Sequence, residues 1–476
     1  MKHLFKTLIF VLLFSQIVLA QEIVSVTLRG SRTKAQITSL FNMPLVKYGA
    51  KYYRVLYTSV DAKGSKDTLS ALMVIPDRAS LTYPRLVYQH GTSDCKRCVP
   101  SNYGSTGGDE GQVGLLFAGL GFVSILPDYV GMGNGRGFQT YVHDATTASA
   151  SMDAITATGL WMNNNNIAVN NQMFITGYSQ GGYASMSLHR YLETKANLRV
   201  TAAAHLSGPY SLSGAMRDLI LGDVPYQYPA YIPNTILGFQ EVYGNIYNEL
   251  SDVFKPEYIS NIRAYYNGTI TLSTLNRRIY ATLSSGGGSP VAKKIFKDEF
   301  ITAFSSDPNH PVNLILKEND LYDWSPTSPT RIFYCKADDQ VPYQNSIIAY
   351  DKMIANGTTV LQIADINSNF DHTQCYNPAL TSTVLFFLSL QQVTVVTNDI
   401  SEDQNTLIYP NPGNDWVTIK TEKPWTKISF LNAQGQETYM QIYNDKIDVS
   451  SLSSGLYHVL IQDQSGNQVV TKWIKY

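Results

Sequence analysis

From about Ile23 to Asp77, apolar and polar side chains alternate, as in Tyr52-Tyr53-Arg54-Val55-Leu56-Tyr57 and Leu69-Ser70-Ala71-Leu72-Met73-Val74-Ile75. A period of two puts every second side chain on one face, so this stretch predicts early antiparallel strands. From Arg85 to about Leu390 the rhythm changes. Short apolar runs recur at Leu86-Val87-Tyr88, Phe122-Val123-Ser124-Ile125-Leu126, Met173-Phe174-Ile175-Thr176 and Ala202-Ala203-Ala204. Arg331-Ile332-Phe333-Tyr334 and Val360-Leu361-Gln362-Ile363 continue the series. Helix-length stretches separate them, and that alternation predicts an α/β domain with a mainly parallel sheet covered by helices. Between Pro209 and Pro329 the strand pattern stops. The segment is rich in aromatics (Tyr226, Tyr228, Tyr231, Phe239, Tyr243, Tyr247) and too long for a loop, which predicts an inserted, mostly helical cap. Residues 391–406 are polar and acidic and read as a linker. From Leu407 to Tyr476, runs such as Trp416-Val417-Thr418-Ile419 are punctuated by Pro, Asn and Gly, the pattern of a small all-β module.

The first twenty residues have another character. Lys2 and Lys6 precede a short apolar core, Leu8 to Phe14, and Val18-Leu19-Ala20 ends on small residues. That is the pattern of a secretory signal peptide, with a mature chain beginning near Gln21. The segment holds only about ten to twelve strongly apolar residues, short of the roughly twenty a membrane span needs. No later stretch is apolar enough to predict a transmembrane span.

Composition narrows the partners. Across 476 residues, 36 Lys and Arg balance 37 Asp and Glu, a formal net charge of −1. No whole-chain electrostatic footprint for nucleic acid exists. Hydrophobic residues make up 44%, enough for a large core, and charged ones only 15%. Four cysteines in an exported chain permit disulfides in three pairings.

The strongest chemical motif is Gly177-Tyr178-Ser179-Gln180-Gly181-Gly182, which follows a predicted strand and precedes a helical run, Tyr183 to Leu192. A nucleophile elbow needs that context: a serine on a strained strand-to-helix turn, with Gly177 and Gly181 removing side chains that would clash. Serine is a weak nucleophile and needs a base oriented by an acid. The chain order in this architecture is Ser, acid, His. His372 lies in a predicted loop after the last strands and before a final helix (Asn377 to Leu390), and is the expected base. His310 falls in the insert, His458 in the tail module, and His205 at a strand end, so each fits less well. Asp338 follows the strand Arg331 to Tyr334, at the carboxyl edge of the sheet, and is the expected acid, with Asp339 beside it. Backbone N–H groups for an oxyanion hole are expected from Gln180 and from the His90-Gly91-Thr92 loop, through Thr92 or Gly91. His90 itself reads as a brace for that loop.

Cys335 stands three residues before Asp338, and Cys375 three after His372. If acid and base meet, a Cys335–Cys375 bond becomes reachable, and Cys95–Cys98 closes the remaining pair. A redox reading of that C-x-x-C is the rival, and the spacings do not suit zinc. Asp128-Tyr129-Val130-Gly131-Met132-Gly133-Asn134-Gly135 fails the dinucleotide and Walker patterns, so it reads as a turn-rich loop beside the site.

The run from Arg85 to Leu390 resembles an α/β-hydrolase. Tyr88-Gln89-His90-Gly91-Thr92, Pro127-Asp128-Tyr129-Val130-Gly131-Met132-Gly133, Tyr141-Val142-His143-Asp144 and the Ser179 elbow look like those of secreted lipases and esterases of the yeast lipase A kind. The resemblance implies ester hydrolysis by a Ser-His-Asp triad, with a helical cap between the sixth and seventh strands and no cofactor or metal. The tail carries a second resemblance. Leu407-Ile408-Tyr409-Pro410-Asn411-Pro412, Leu431-Asn432-Ala433-Gln434-Gly435-Gln436 and Ile447-Asp448-Val449-Ser450 through Gly455-Leu456-Tyr457 are similar to the type A sorting domain of type IX secretion. That implies partnership with the type IX machinery and export from a Gram-negative cell. The expected whole is a signal peptide (1–20), an α/β-hydrolase domain (21–390) with a cap (about 209–329), a linker (391–406) and a β-sandwich sorting domain (407–476). Two other functions fit the same residues: a serine peptidase of the prolyl oligopeptidase kind, and a non-catalytic surface-binding protein. Only about sixty residues precede the hydrolase strands, which leaves no room for a propeller gate.

Overall fold

The computed structural model describes residues 22–105, 109–395, 407–421, 424–432, 436–440, 442–443, 446–463 and 468–476. The expected signal peptide (1–20) and residues 396–406 of the expected linker lie outside the described residues. The chain forms two compact units: residues up to 77, 85–165 and 173–390 make one, and 78–84, 166–172 and 391–476 the other.

The large sheet is built from β1 (Ile23–Arg32), β2 (Ala50–Val60), β3 (Lys66–Pro76), β4 (Leu81–Gln89), β5 (Val123–Pro127), β6 (Val169–Tyr178), β7 (Ala202–Leu206), β8 (Thr330–Tyr334) and β9 (Leu361–Asp365). Their order is β1-β2-β3-β5-β4-β6-β7-β8-β9. A short strand, β10 (Thr394–Val395), pairs antiparallel with β4 at Leu81 and Thr82. β1 to β3 form the expected antiparallel start, and β3 pairs antiparallel with β5. The β4–β5, β6–β7, β7–β8 and β8–β9 pairs are parallel.

The period-two pattern explains why the middle strands are apolar throughout. Leu86, Phe174, Ala202 and Ala204 point to one core with Phe117, Phe122 and Phe387. Their neighbours Val87, Ile175 and Ala203 point to the opposite face with Ile155 and Leu188. Burial on both faces is the condition of a parallel sheet between helices. Those helices are α2 (Gly111–Gly119), α3 (Asp144–Asn164) and α4 (Gln180–Thr194), with α1 (Lys34–Phe41) near the start of the chain.

Helices fill the interval between β7 and β8: α5 (Arg217–Leu221), α6 (Tyr231–Tyr243), α7 (Leu250–Val253), α8 (Pro256–Tyr266), α9 (Leu272–Leu283), α10 (Asp298–Ser306) and α11 (Pro311–Glu318). The apolar spacing in α9 shows why: Leu272, Leu275, Ile279 and Leu283 share one stripe and are buried. They join a core with Phe254, Phe296 and Phe304 that continues down to Ile332 and Leu361 of the sheet. α12 (Gln344–Ala355) connects β8 to β9, and α13 (His372–Leu388) follows β9. α13 begins five residues earlier than the sequence pattern suggested. Asp371 caps it, accepting from Gln374 N at 2.8 Å while the Gln374 side chain accepts from Asp371 N at 3.1 Å.

The second unit contains two four-stranded sheets, one of β11 (Leu407–Tyr409), β12 (Trp416–Lys420), β15 (Ile442–Tyr443) and β16 (Lys446–Asp448). The other holds β13 (Trp425–Leu431), β14 (Glu437–Tyr439), β17 (Gly455–Asp463) and β18 (Gln468–Lys475). Ile408, Val417 and Ile447 from the first pack with Phe430, Val459 and Trp473 from the second. Trp473 is fully buried, and its indole N–H donates to Pro410 O at 2.8 Å.

Both disulfides join cysteines the sequence had paired: Cys95 with Cys98, and Cys335 with Cys375. The second ties the end of β8 to α13 across 40 residues. Loop entropy then gives a contribution of about 4 kcal/mol. The Cys335→Ala/Cys375→Ala double variant should lose up to that amount in urea unfolding monitored by tryptophan fluorescence. An unchanged midpoint would show that the packing around the bond holds these segments alone.

Candidate active site

β6 ends at Tyr178 and α4 begins at Gln180, so Ser179 alone makes the turn. It adopts φ 61° and ψ −122°, a region that costs an L-residue of order 1–3 kcal/mol. The turn is fixed on both sides. Ser179 N donates to Leu206 O at 2.9 Å, and Tyr183 N donates to Ser179 O at 3.1 Å. The surrounding backbone is too close for side chains. A Cβ on Gly177 or Gly181 would collide with Gln89 O, and one on Gly182 with Leu206 O. The elbow therefore wedges between the ends of β4 and β7.

Asp338 arrives from the loop after β8 and His372 from the first position of α13. Asp338 Oδ2 stands 2.6 Å from His372 Nδ1, with both side chains buried. Asp338 Oδ1 accepts from Gln340 N at 3.0 Å and Val341 N at 2.8 Å. The carboxylate is thus oriented before it meets the imidazole. Asp339 holds the base differently: its Oδ1 accepts from the His372 backbone N at 3.2 Å. Tyr178, next to Ser179, packs its ring 4.8 Å from the His372 ring and donates its hydroxyl to His372 O at 2.5 Å. His372 is the first residue of α13 rather than part of a loop.

The other histidines are occupied elsewhere. His205 is fully buried, 2.7 Å from Ser185 Oγ and 3.2 Å from His189 Nδ1. His310 caps α11 and packs on Phe300. His458 lies in β17 of the other unit.

The loop after β4 is braced from below. His90 stacks on Tyr129 at 4.2 Å, and Tyr129 donates its hydroxyl to His90 O at 2.9 Å. The His90 ring nitrogens face Gly91 O at 2.7 Å and Asp128 O at 3.3 Å. Asp128 is fully buried and accepts from Ser70 Oγ and Ser101 N. Burial pushes its carboxyl up to about 6. The Asp-Tyr segment after β5 is therefore the support under the His90 loop.

The two amides offered by that loop differ. Gly91 N already donates to Glu110 Oε2 at 2.8 Å. Among the described residues, Thr92 N has no hydrogen-bond partner, while Thr92 Oγ1 lies 2.9 Å from Tyr141 Oη. Glu110 was not singled out by the sequence: one acidic residue at the start of a glycine-flanked helix carries no pattern. Beside Thr92 lies a cavity of about 460 Å³, lined among others by Tyr228, Tyr231, Asn276 and Tyr280.

Residues 407–476 match the family model described as a secretion system C-terminal sorting domain. Export by type IX secretion, to the cell surface or beyond it, follows from that tail. No helix among the described residues is long and apolar enough to cross a membrane. No protein of curated function matches the chain in sequence. Among solved structures, the rice cell wall degrading esterase LipA from Xanthomonas oryzae is 22% identical, with a TM-score of 0.68 over 78% of this chain and 98% of that one. Lipase A from Candida antarctica, in its closed state, is 14% identical, with a TM-score of 0.58 over 77% of this chain and 81% of that one. The fold of the large unit is that of the α/β-hydrolases.

The buried His90 gives a pH test of the brace. Burial lowers its pKa to about 4, against about 6.5 in an unfolded chain. The folded protein then binds fewer protons than the unfolded one below pH 6.5, so stability falls as pH drops from 6.5 towards 4. The loss from this group is about 2 kcal/mol at pH 5. The raised carboxyls of Glu110 and Asp128 act in the opposite sense. Comparing wild type with His90→Gln cancels them. The gap in unfolding free energy between the two should shift by about 2 kcal/mol in favour of the variant between pH 7 and pH 5. Parallel pH curves would show that His90 takes up its proton without cost in the fold.

Proposed function

We propose that the chain is an exported serine hydrolase that cleaves carboxylic esters through Ser179, His372 and Asp338. The observation that carries this reading is the strained turn at Ser179 next to a buried His372–Asp338 pair at 2.6 Å. Strain is expected where a nucleophile must stand clear of the backbone that presents it.

In this reading Ser179 Oγ attacks the acyl carbonyl and His372 Nε2 takes its proton. Asp338 holds Nδ1–H, fixing the tautomer and stabilising the imidazolium without itself taking the proton. The amides of Gln180 and Thr92 receive the developing oxyanion. Because Gly91 N–H is bonded to Glu110, Gly91 is not assigned as a donor. His372 then protonates the leaving alcohol, and water releases the acyl group by the same route. No cofactor enters. Ester rather than peptide cleavage is favoured by the solved relatives, whose names describe an esterase and a lipase.

The test is hydrolysis of p-nitrophenyl esters from acetyl to palmitoyl by the exported protein. Ser179→Ala should lower kcat by about 10⁴-fold while the protein stays folded. Normal turnover by a folded Ser179→Ala protein would refute the mechanism. Ser179-dependent cleavage of dipeptide anilides without ester cleavage would replace it with the peptidase reading. Absence of both, with no labelling by a fluorophosphonate, would leave the surface-binding one.

A further inference from the structure

Glu110 is the N-cap of α2, an element that carries neither Asp338 nor His372. Its carboxylate nevertheless reaches the loop after β4. Oε2 accepts from Gly91 N at 2.8 Å and from Tyr88 Oη at 3.4 Å. Gly91 is held tightly between two parts of the site. A Cβ there would stand 3.0 Å from Glu110 Oε1 and 3.5 Å from Tyr178 O. The carboxylate therefore clamps the loop against the strand that presents Ser179.

The clamp extends to the base. Tyr88 Oη is 3.3 Å from Tyr376 Oη, and the Tyr376 ring meets the Tyr178 ring edge-on at 5.1 Å. Tyr376 lies one helical turn after His372 on α13, and Tyr178 donates to His372 O. One carboxylate thus anchors a chain of three tyrosines that links the loop, the nucleophile strand and the base helix.

Of the two successive amides of this loop, Gly91 N–H is bonded and Thr92 N–H has no partner among the described residues. From this geometry we propose that Glu110 is a positioning residue: by taking the Gly91 N–H it fixes the following peptide, so that Thr92 N–H is the donor aimed at the oxyanion. The Thr92 side chain is held from the other side by Tyr141 at 2.9 Å, so the peptide is pinned at both ends. Burial raises the Glu110 carboxyl to about 7, which makes the position costly for a charge. A carboxyl whose pKa is moved by burial beside a nucleophile elbow is characteristic of functional sites. The proposal rests on the ester-hydrolase reading.

The neutral Gln keeps an acceptor for Gly91 N–H, whereas Asp keeps the charge but withdraws the acceptor by one methylene, and Ala removes it. Oxyanion donors act in the transition state, so misplacing one should lower kcat and leave KM nearly unchanged. We expect Glu110→Ala and Glu110→Asp to lower kcat about 10- to 100-fold, with KM within about twofold, and Glu110→Gln to stay within about threefold of wild type. The rate of Ser179 labelling by a fluorophosphonate should follow the same order. That second readout needs no ester turnover and is measured on whichever variants fold. Wild-type kcat and labelling in Glu110→Asp, or equal losses in Asp and Gln, would overturn the proposal. A rise in KM alone would also overturn it. Ser179→Ala run beside them separates the two claims. Loss of Ser179-dependent turnover in wild type would refute the ester reading, whereas an active wild type with indifferent Glu110 variants refutes only the clamp.

Discussion

The close approach of backbone to backbone around Ser179 is the constraint on which the site depends. The elbow fits between Gln89 at the end of β4 and Leu206 at the end of β7 only because Gly177, Gly181 and Gly182 lack side chains. The Leu206 carbonyl holds the Ser179 amide, so the turn cannot relax without breaking the edge of the sheet. The strain at Ser179 persists because the two flanking strand ends over-determine the turn. Those strand ends also begin the loop carrying Thr92 and the segment leading into the cap, so one steric condition sets the positions of Ser179, the Thr92 loop and the entrance to the cap.

Asp338 and His372 are held by another principle. Asp338 sits on the loop after β8 and His372 at the first position of α13, and several short-range bonds hold them in place of a strand ladder. Asp338 is oriented by two backbone amides, His372 by Asp339 and Tyr178, and the end of β8 is tied to α13 by Cys335–Cys375. Each hydrogen bond contributes only about a kilocalorie per mole, but together they leave the imidazole a single orientation. In an exported chain the covalent link is chemically available, which suits a site assembled from segments far apart in sequence.

The parts of this arrangement visible in the sequence are those with local patterns. The Ser179 elbow context, the alternating early strands, the short apolar strands of the parallel sheet and the helical character of the insert all follow from patterns along the chain. The disulfide pairing was legible indirectly, because the chain order of the catalytic groups placed Cys335 and Cys375 near each other. Other features had no local signal. Glu110 reaches Gly91 from nineteen residues away, and its role depends on a contact that no spacing encodes. For the same reason the sequence left Gly91 and Thr92 as equivalent donors. The start of α13 at His372 was missed because Pro378 within it resembles a helix start, while the actual signal, the Asp371–Gln374 capping box, lies in a polar run that reads as a loop.

Tyr141 joins the two halves of the site. Its hydroxyl meets Thr92 Oγ1, while its ring belongs to the cap's core and faces Tyr231 at 6.4 Å. Tyr231 in turn lines the cavity beside Thr92, stacks on Tyr228 at 5.7 Å, and donates its hydroxyl to Gln340, two residues beyond Asp338. The wall of this cavity is therefore made of the same side chains that brace the Thr92 loop and the Asp338 loop. The cap and the Ser179 site share one packing unit here. A change at these tyrosines shifts the Thr92 and Asp338 loops as well as the cavity wall, because closely packed interiors transmit displacements rather than absorb them.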